Sequence, residues 1–141
     1  MILDIENKII DDVQTFFANK SVQVNISSEF EDYPEDFPAL MIRQIGSAVY
    51  TLTQDDDLTP HHWRVTFQLD TFSNKTSGAK SEVKKLMGLA DEAMQALKFT
   101  LTSSDISTNF DRTITRGTQV YRAIVGEPKT VGNKQIYQMY R

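Results

Sequence analysis

The chain has no cysteine, four prolines, six glycines and one tryptophan in 141 residues. Without cysteine there is no disulfide framework, no thiolate zinc site and no cysteine nucleophile. No apolar run approaches the roughly 20 residues that a membrane-spanning helix needs. The opening residues also lack the basic, apolar, small-residue order of a secretory signal. The expectation is a protein with no membrane association, held in an intracellular compartment until it is assembled or released. The glycines, at 46, 78, 88, 117, 126 and 132, stand too far apart to build a dinucleotide fingerprint or a phosphate-cradling loop. Internal repeats, low-complexity tracts and linkers are equally missing.

What is present is an ordinary core-forming composition, 40% hydrophobic and 24% charged, read as a single domain over residues 1–141. A chain of this size buries roughly two-thirds of its unfolded surface, enough for a core without staples. The net charge of −4 is unevenly distributed. Residues 1–70 carry thirteen acids and four bases, a balance of −9, whereas residues 71–141 carry six acids and eleven bases, a balance of +5. Such asymmetry between halves points toward partners.

Periodicity predicts the elements. Ile2, Ile5, Ile9, Ile10, Val13, Phe16 and Phe17 recur at helical spacing over residues 3–19, with Asp4 and Glu6 placed to complement the helix dipole. Val22, Val24 and Ile26 alternate as a short strand suited to a sheet edge. Residues 27–38 hold five acids, two prolines and the aromatics Phe30, Tyr33 and Phe37. That segment is a loop. It is either a solvated connection whose aromatics fold back on the core or an arm carrying them to a partner. Strands are predicted over 39–45 and 48–53, joined by a tight turn at Gly46-Ser47. The clearest strand follows, where Trp63, Val65, Phe67 and Leu69 alternate with Arg64, Thr66, Gln68 and Asp70. A second helix over 79–97, with Thr76 or Ser77 as its cap, buries Ala79, Val83, Leu86, Met87, Ala90, Ala93, Met94 and Leu97. Further strands are expected over 99–102, 109–115, 118–125 and 134–140. Helix, strands, helix, strands predicts an α+β fold, a largely antiparallel sheet packed with two helices.

Catalytic signatures are sparse. The only histidines, His61 and His62, follow Asp55, Asp56 and Asp57 closely enough to consider a divalent-cation site. Adjacent residues entering a strand point to opposite faces, which favours a solvated turn instead. Asp70, Asp105 and Asp111 are isolated in sequence and are expected to cap turns or face water. Neither cofactor nor metal is expected. A pI near 5.1 disfavours direct nucleic-acid binding. Arg112, Arg116 and Arg122 form either a basic strip on one strand face or interspersed surface charge.

Several strings together resemble the tail-terminator or tail-completion proteins of long-tailed bacteriophages, the minor capsid proteins that join head to tail. They are residues 37–42 (FPALMI), 63–73 (WRVTFQLDTFS) immediately before a helix, 96–99 (ALKF), 113–116 (TITR) and 121–124 (YRAI). The resemblance spans nearly the whole chain. It implies a non-enzymatic virion protein at the tail end or neck, present in the host cytoplasm before assembly. Such a protein forms a homo-hexameric ring that caps the tail tube protein and meets the head-completion or connector protein. DNA would meet it only by passing through the ring lumen. Ring contacts are heterologous, and unlike charges on the two surfaces register them. Asp55, Asp56, Asp57, Arg112, Arg116, Arg122, Phe30 and Tyr33 are the expected interface residues, and acids along the lumen would present like charge to a passing genome.

Overall fold

Two helices and eight strands form among the residues described by a computed structural model of the protein, namely 3–28, 36–49, 62–108, 113–126, 129–132, 134–137 and 139–140. In chain order they are α1 (Glu6–Asn19), β1 (Asn25–Ser27), β2 (Ala39–Val49), β3 (His62–Ser73), α2 (Ala79–Ala96), β4 (Thr100–Thr108), β5 (Thr115–Gly126), β6 (Lys129–Val131), β7 (Lys134–Ile136) and β8 (Met139–Tyr140). The main sheet runs β1-β2-β3-β5-β4, with β8 pairing a further stretch of β5, while β6 and β7 form a separate two-stranded hairpin. Among the described residues only the β1–β2 pair is parallel. The architecture is the α+β class with the helix–strands–helix–strands order that the periodicity predicts.

Both helices lie on one face of the sheet. Trp63, Val65, Phe67 and Leu69 of β3 and Tyr121, Ala123 and Val125 of β5 point into this layer. Ile9, Val13 and Phe17 of α1 and Leu86, Ala90 and Met94 of α2 meet them there. Each large side chain so buried stabilises by about 1.5–3 kcal/mol before entropy is counted. Gly117 marks the closest approach of α2 to β5: a Cβ there would lie 2.7 Å from Val83 Cγ1 and collide with the Met87 sulfur.

Each helix closes with a left-handed residue one position beyond its C-cap. After α1, Ser21 (φ 57°) donates its N–H to the Ala18 carbonyl and Val22 donates to Phe17. After α2, Lys98 (φ 69°) donates to Gln95 and Phe99 donates to Met94. These paired bonds satisfy carbonyls that the helix ends leave open, although neither left-handed residue is the usual glycine.

Five local expectations differ from the structure. Gly46-Ser47 is not a turn: β2 continues through it with a bulge, and Ile45 is the extra residue between the Gln44–Phe67 and Gly46–Thr66 pairs. The bulge frees Gln44 to serve the segment before α1. Its side-chain amide accepts from Ile5 N–H at 2.9 Å and donates to the Leu3 carbonyl at 2.6 Å, much as a neighbouring strand would. Neither Thr76 nor Ser77 caps α2, because Gly78 (φ 83°) occupies the N-cap without a side-chain bond. The short strand expected over 99–102 runs on to Thr108, since Ser103 and Ser104 take part in the ladder with β5 rather than turning. Residues 113 and 114 are not strand, and the single strand expected over 134–140 is divided between β7 and β8, which belong to different sheets.

Candidate functional site

Strand alternation divides the sheet into the helix-covered face and an opposite face formed by alternate residues of β2, β3, β4 and β5. At one end of that opposite face lies Asp70, fully buried within β3 instead of capping a turn or facing water as its sequence isolation predicts. Its burial has a physical cause in the register. Asp70 sits between Met41 on β2 and Thr118 on β5, with Gln68 two residues before it on the same face. One carboxylate oxygen accepts from Arg116 Nε at 3.1 Å, from an Arg116 terminal nitrogen at 3.0 Å and from the Thr118 hydroxyl at 2.8 Å. The other accepts from the Gln68 amide at 3.1 Å and lies 3.8 Å from the Arg43 guanidinium. A buried carboxylate is tolerated only with such compensation. Arg116 also lies over the Phe72 ring, 5.8 Å from its centroid. Phe72 belongs to a small second core with Ala39, Met41 and Ile114, against which Phe37 packs.

On the helix face a second polar chain crosses the core. The buried Tyr121 hydroxyl donates to Asp91 at 2.8 Å and accepts from the Gln119 amide at 2.9 Å, while the same amide also donates to the Met87 carbonyl at 3.1 Å. Burial, reinforced by the hydrogen bond and charge of Asp91, pushes the Tyr121 hydroxyl far above the ordinary phenol range. It therefore stays protonated and holds α2 to β5. Neither cluster pairs a nucleophile with a base: Asp70 is saturated with donors, and Tyr121 is locked as a donor. Among the described residues no three His, Asp or Glu side chains gather as a metal group, and no helix is long and apolar enough to cross a membrane.

Of the expected interface residues, two are described. Arg116 and Arg122 both project from β5 on the face away from the helices, six positions apart. They differ in engagement. Arg116 is half-buried and committed to Asp70 within its own chain, whereas Arg122 is exposed, between Thr66 on β3 and Thr100 on β4. Asp55, Asp56, Asp57, Arg112, Phe30, Tyr33 and His61 lie outside the described residues. The charge split along the chain follows the sheet. β1, β2 and β3, which come essentially from the acidic half, lie side by side, and β5, β4 and β8 of the basic half lie beyond them. The two groups meet at the β3–β5 pair, where Asp70 neutralises Arg116.

The feature that sequence periodicity did not single out is the β4 edge. All nine residues of β4 except Ile106 are exposed, Leu101 to 38%. Among the described residues no strand pairs with its outer edge. Strand edges in proteins are commonly blunted by lysine, proline or extreme shortness. β4 has no lysine or proline, carries a single charge, Asp105, and is interrupted only by a bulge between Leu101 and Ser103. The opposite edge is the three-residue β1 beside Ala39–Met41 and, beyond it, the rest of β2, where Gln44 bonds the segment before α1. The run of threonine and serine from 100 to 104, rich in β-branched and small polar residues, is the sequence signal of this exposed strand.

No protein-family pattern matches the chain, and no curated protein matches its sequence.

Proposed function

We propose that the protein is a ring-forming structural component of a long-tailed bacteriophage, a tail terminator that acts by subunit docking without catalysis. In this reading copies of the chain form a hexamer that caps the tail tube, meets the head connector and lets DNA pass through its lumen. The observation that carries it is the exposed, nearly uncharged nine-residue β4 edge, set against an opposite edge made of the three-residue β1 and the rest of β2. Unlike edges make a subunit polar, and polar subunits associate head to tail into rings or filaments. The strings behind the phage resemblance fall on the start of β2, on β3, on the end of α2 and on β5, in the helix–strands–helix–strands order expected of such proteins. Arg122, exposed on the face away from the helices, remains available for a neighbouring subunit or for the tube.

The test is the assembly state. Native mass spectrometry across concentration should show a hexamer, either alone or after incubation with isolated tail tubes, and negative-stain images should show rings at tube ends. A strict monomer or dimer that never associates with tube ends would overturn the reading.

A further inference from the structure

We propose that the contact between neighbouring copies is made by the β6–β7 hairpin of one copy adding to the outer edge of β4 in the next. This inference rests on the ring reading and specifies its interface. Three observations lead to it. First, β4 offers unpaired backbone donors and acceptors along an edge that carries none of the usual lysine or proline protection. Its regular stretch after the bulge, Ser103 to Thr108, is long enough for a three-residue strand.

Second, the hairpin has no third strand among the described residues: β6 and β7 pair with each other through Lys129–Ile136, Thr130–Gln135 and Val131–Lys134, as a sheet of two. A lone two-stranded hairpin is marginal in water, and a third strand is what stabilises it. Its own β4 cannot be that strand. Two residues separate β6 from the end of β5, and two separate β7 from β8, which is itself anchored to Ile124 and Val125. Each tether, three residue steps long, spans at most about 11 Å. The hairpin base is thereby held at the Gly126 end of β5, whereas β4 runs from its pairing with Arg122 toward Thr115, away from that end.

Third, the charges are complementary. The hairpin strands bring Lys129 and Lys134, and the only charge on β4 is Asp105. Donor hairpin and acceptor edge are different surfaces, so the contact is heterologous and propagates from copy to copy.

The cysteine-free chain permits a direct test by disulfide trapping. Ser104→Cys on β4 and, separately, Thr130→Cys and Gln135→Cys on the hairpin are prepared, with thermal melts checking that each folds. Mixing an edge variant with a hairpin variant under mild oxidation should give a cross-linked heterodimer, whereas each variant alone should stay uncross-linked. Adding Asp105→Lys to the edge variant should lower the yield several-fold, and high salt should lower it as well. Native mass spectrometry of the unmodified chain is run in parallel. A ring without the mixed cross-link would overturn the hairpin contact and leave the ring reading standing. A mixed cross-link without any closed ring would support the contact and overturn the ring. Efficient cross-linking of Ser104→Cys alone would overturn the contact in favour of a two-fold β4–β4 pairing, and no cross-link with no oligomer would overturn both.

Discussion

The two faces of the sheet solve burial in opposite ways. Under the helices an apolar layer excludes water, and polar groups within it are tied to the helices by hydrogen bonds, among them the chain from Asp91 through Tyr121 to Gln119 and the bond from Ser73 to Glu82. On the other face a carboxylate is buried outright and tolerated because two arginines, a threonine and a glutamine converge on it. The first face is robust because its energy is spread over many nonspecific contacts. The second depends on a few charged partners, so its loss is concentrated in single residues.

That contrast is sharpest in the two arginines of β5. Arg116→Ala leaves Asp70 without its main counter-charge and should destabilise the fold by about 3–5 kcal/mol in urea titrations, whereas Arg122→Ala should change stability by less than about 0.5 kcal/mol. Equal effects would show that the Asp70 cluster is not a buried charge system. On the helix face, Gly117→Ala forces a methyl against Val83 and Met87 and should cost about 1–3 kcal/mol by the same titration. Tyr121→Phe removes one hydroxyl whose partners keep other contacts or reach water, and should cost about 1 kcal/mol. At the end of α2, Lys98→Gly relieves a left-handed lysine and should stabilise by about 1 kcal/mol, a gain visible as a raised midpoint of thermal unfolding.

The smallest effect concerns Glu82 at the start of α2. Its burial opposes ionisation, but hydrogen bonds from Ser73 and Lys75 and the charges of Lys75 and Lys85 outweigh that and lower its pKa below the usual 4.5. A carboxyl depressed on folding contributes stability that is fully present above its unfolded pKa and is lost as pH falls through the folded one. Glu82→Gln should therefore flatten the acid limb of stability below about pH 4.5, by less than about 1 kcal/mol for this partly exposed pair. An acid limb unchanged by the substitution would remove Glu82 from the account.

Periodic signals in the sequence translated well into structure because each reports one local geometry. Both helices and the alternating β3 were legible, and most of their predicted stripes are buried, Phe16, Ala79 and Leu97 being only half-buried. Residues whose role depends on a distant partner were not. Asp70 looked like a surface acid because its nearest neighbours in sequence say nothing about Arg116, 46 positions away. A clue was present in Phe72, an aromatic on the same alternating face, which shows that this end of the face is covered. Gly46 looked like a turn because glycine marks turns and bulges alike. Only the pairing with β3 distinguishes them.

The sequence by itself determined the element types, the α+β class and the exclusion of disulfide and thiolate chemistry, since composition and period act locally along the chain. Tertiary structure alone decided which of two similar arginines is bound internally and which is exposed. It also decided that the strands of the −9 and +5 halves lie in two groups that meet at the β3–β5 pair, and that β4 ends the sheet with an open edge among the described residues. Those outcomes depend on strand order and register, which bring residues far apart in sequence to the same few ångströms, and no local pattern encodes that order.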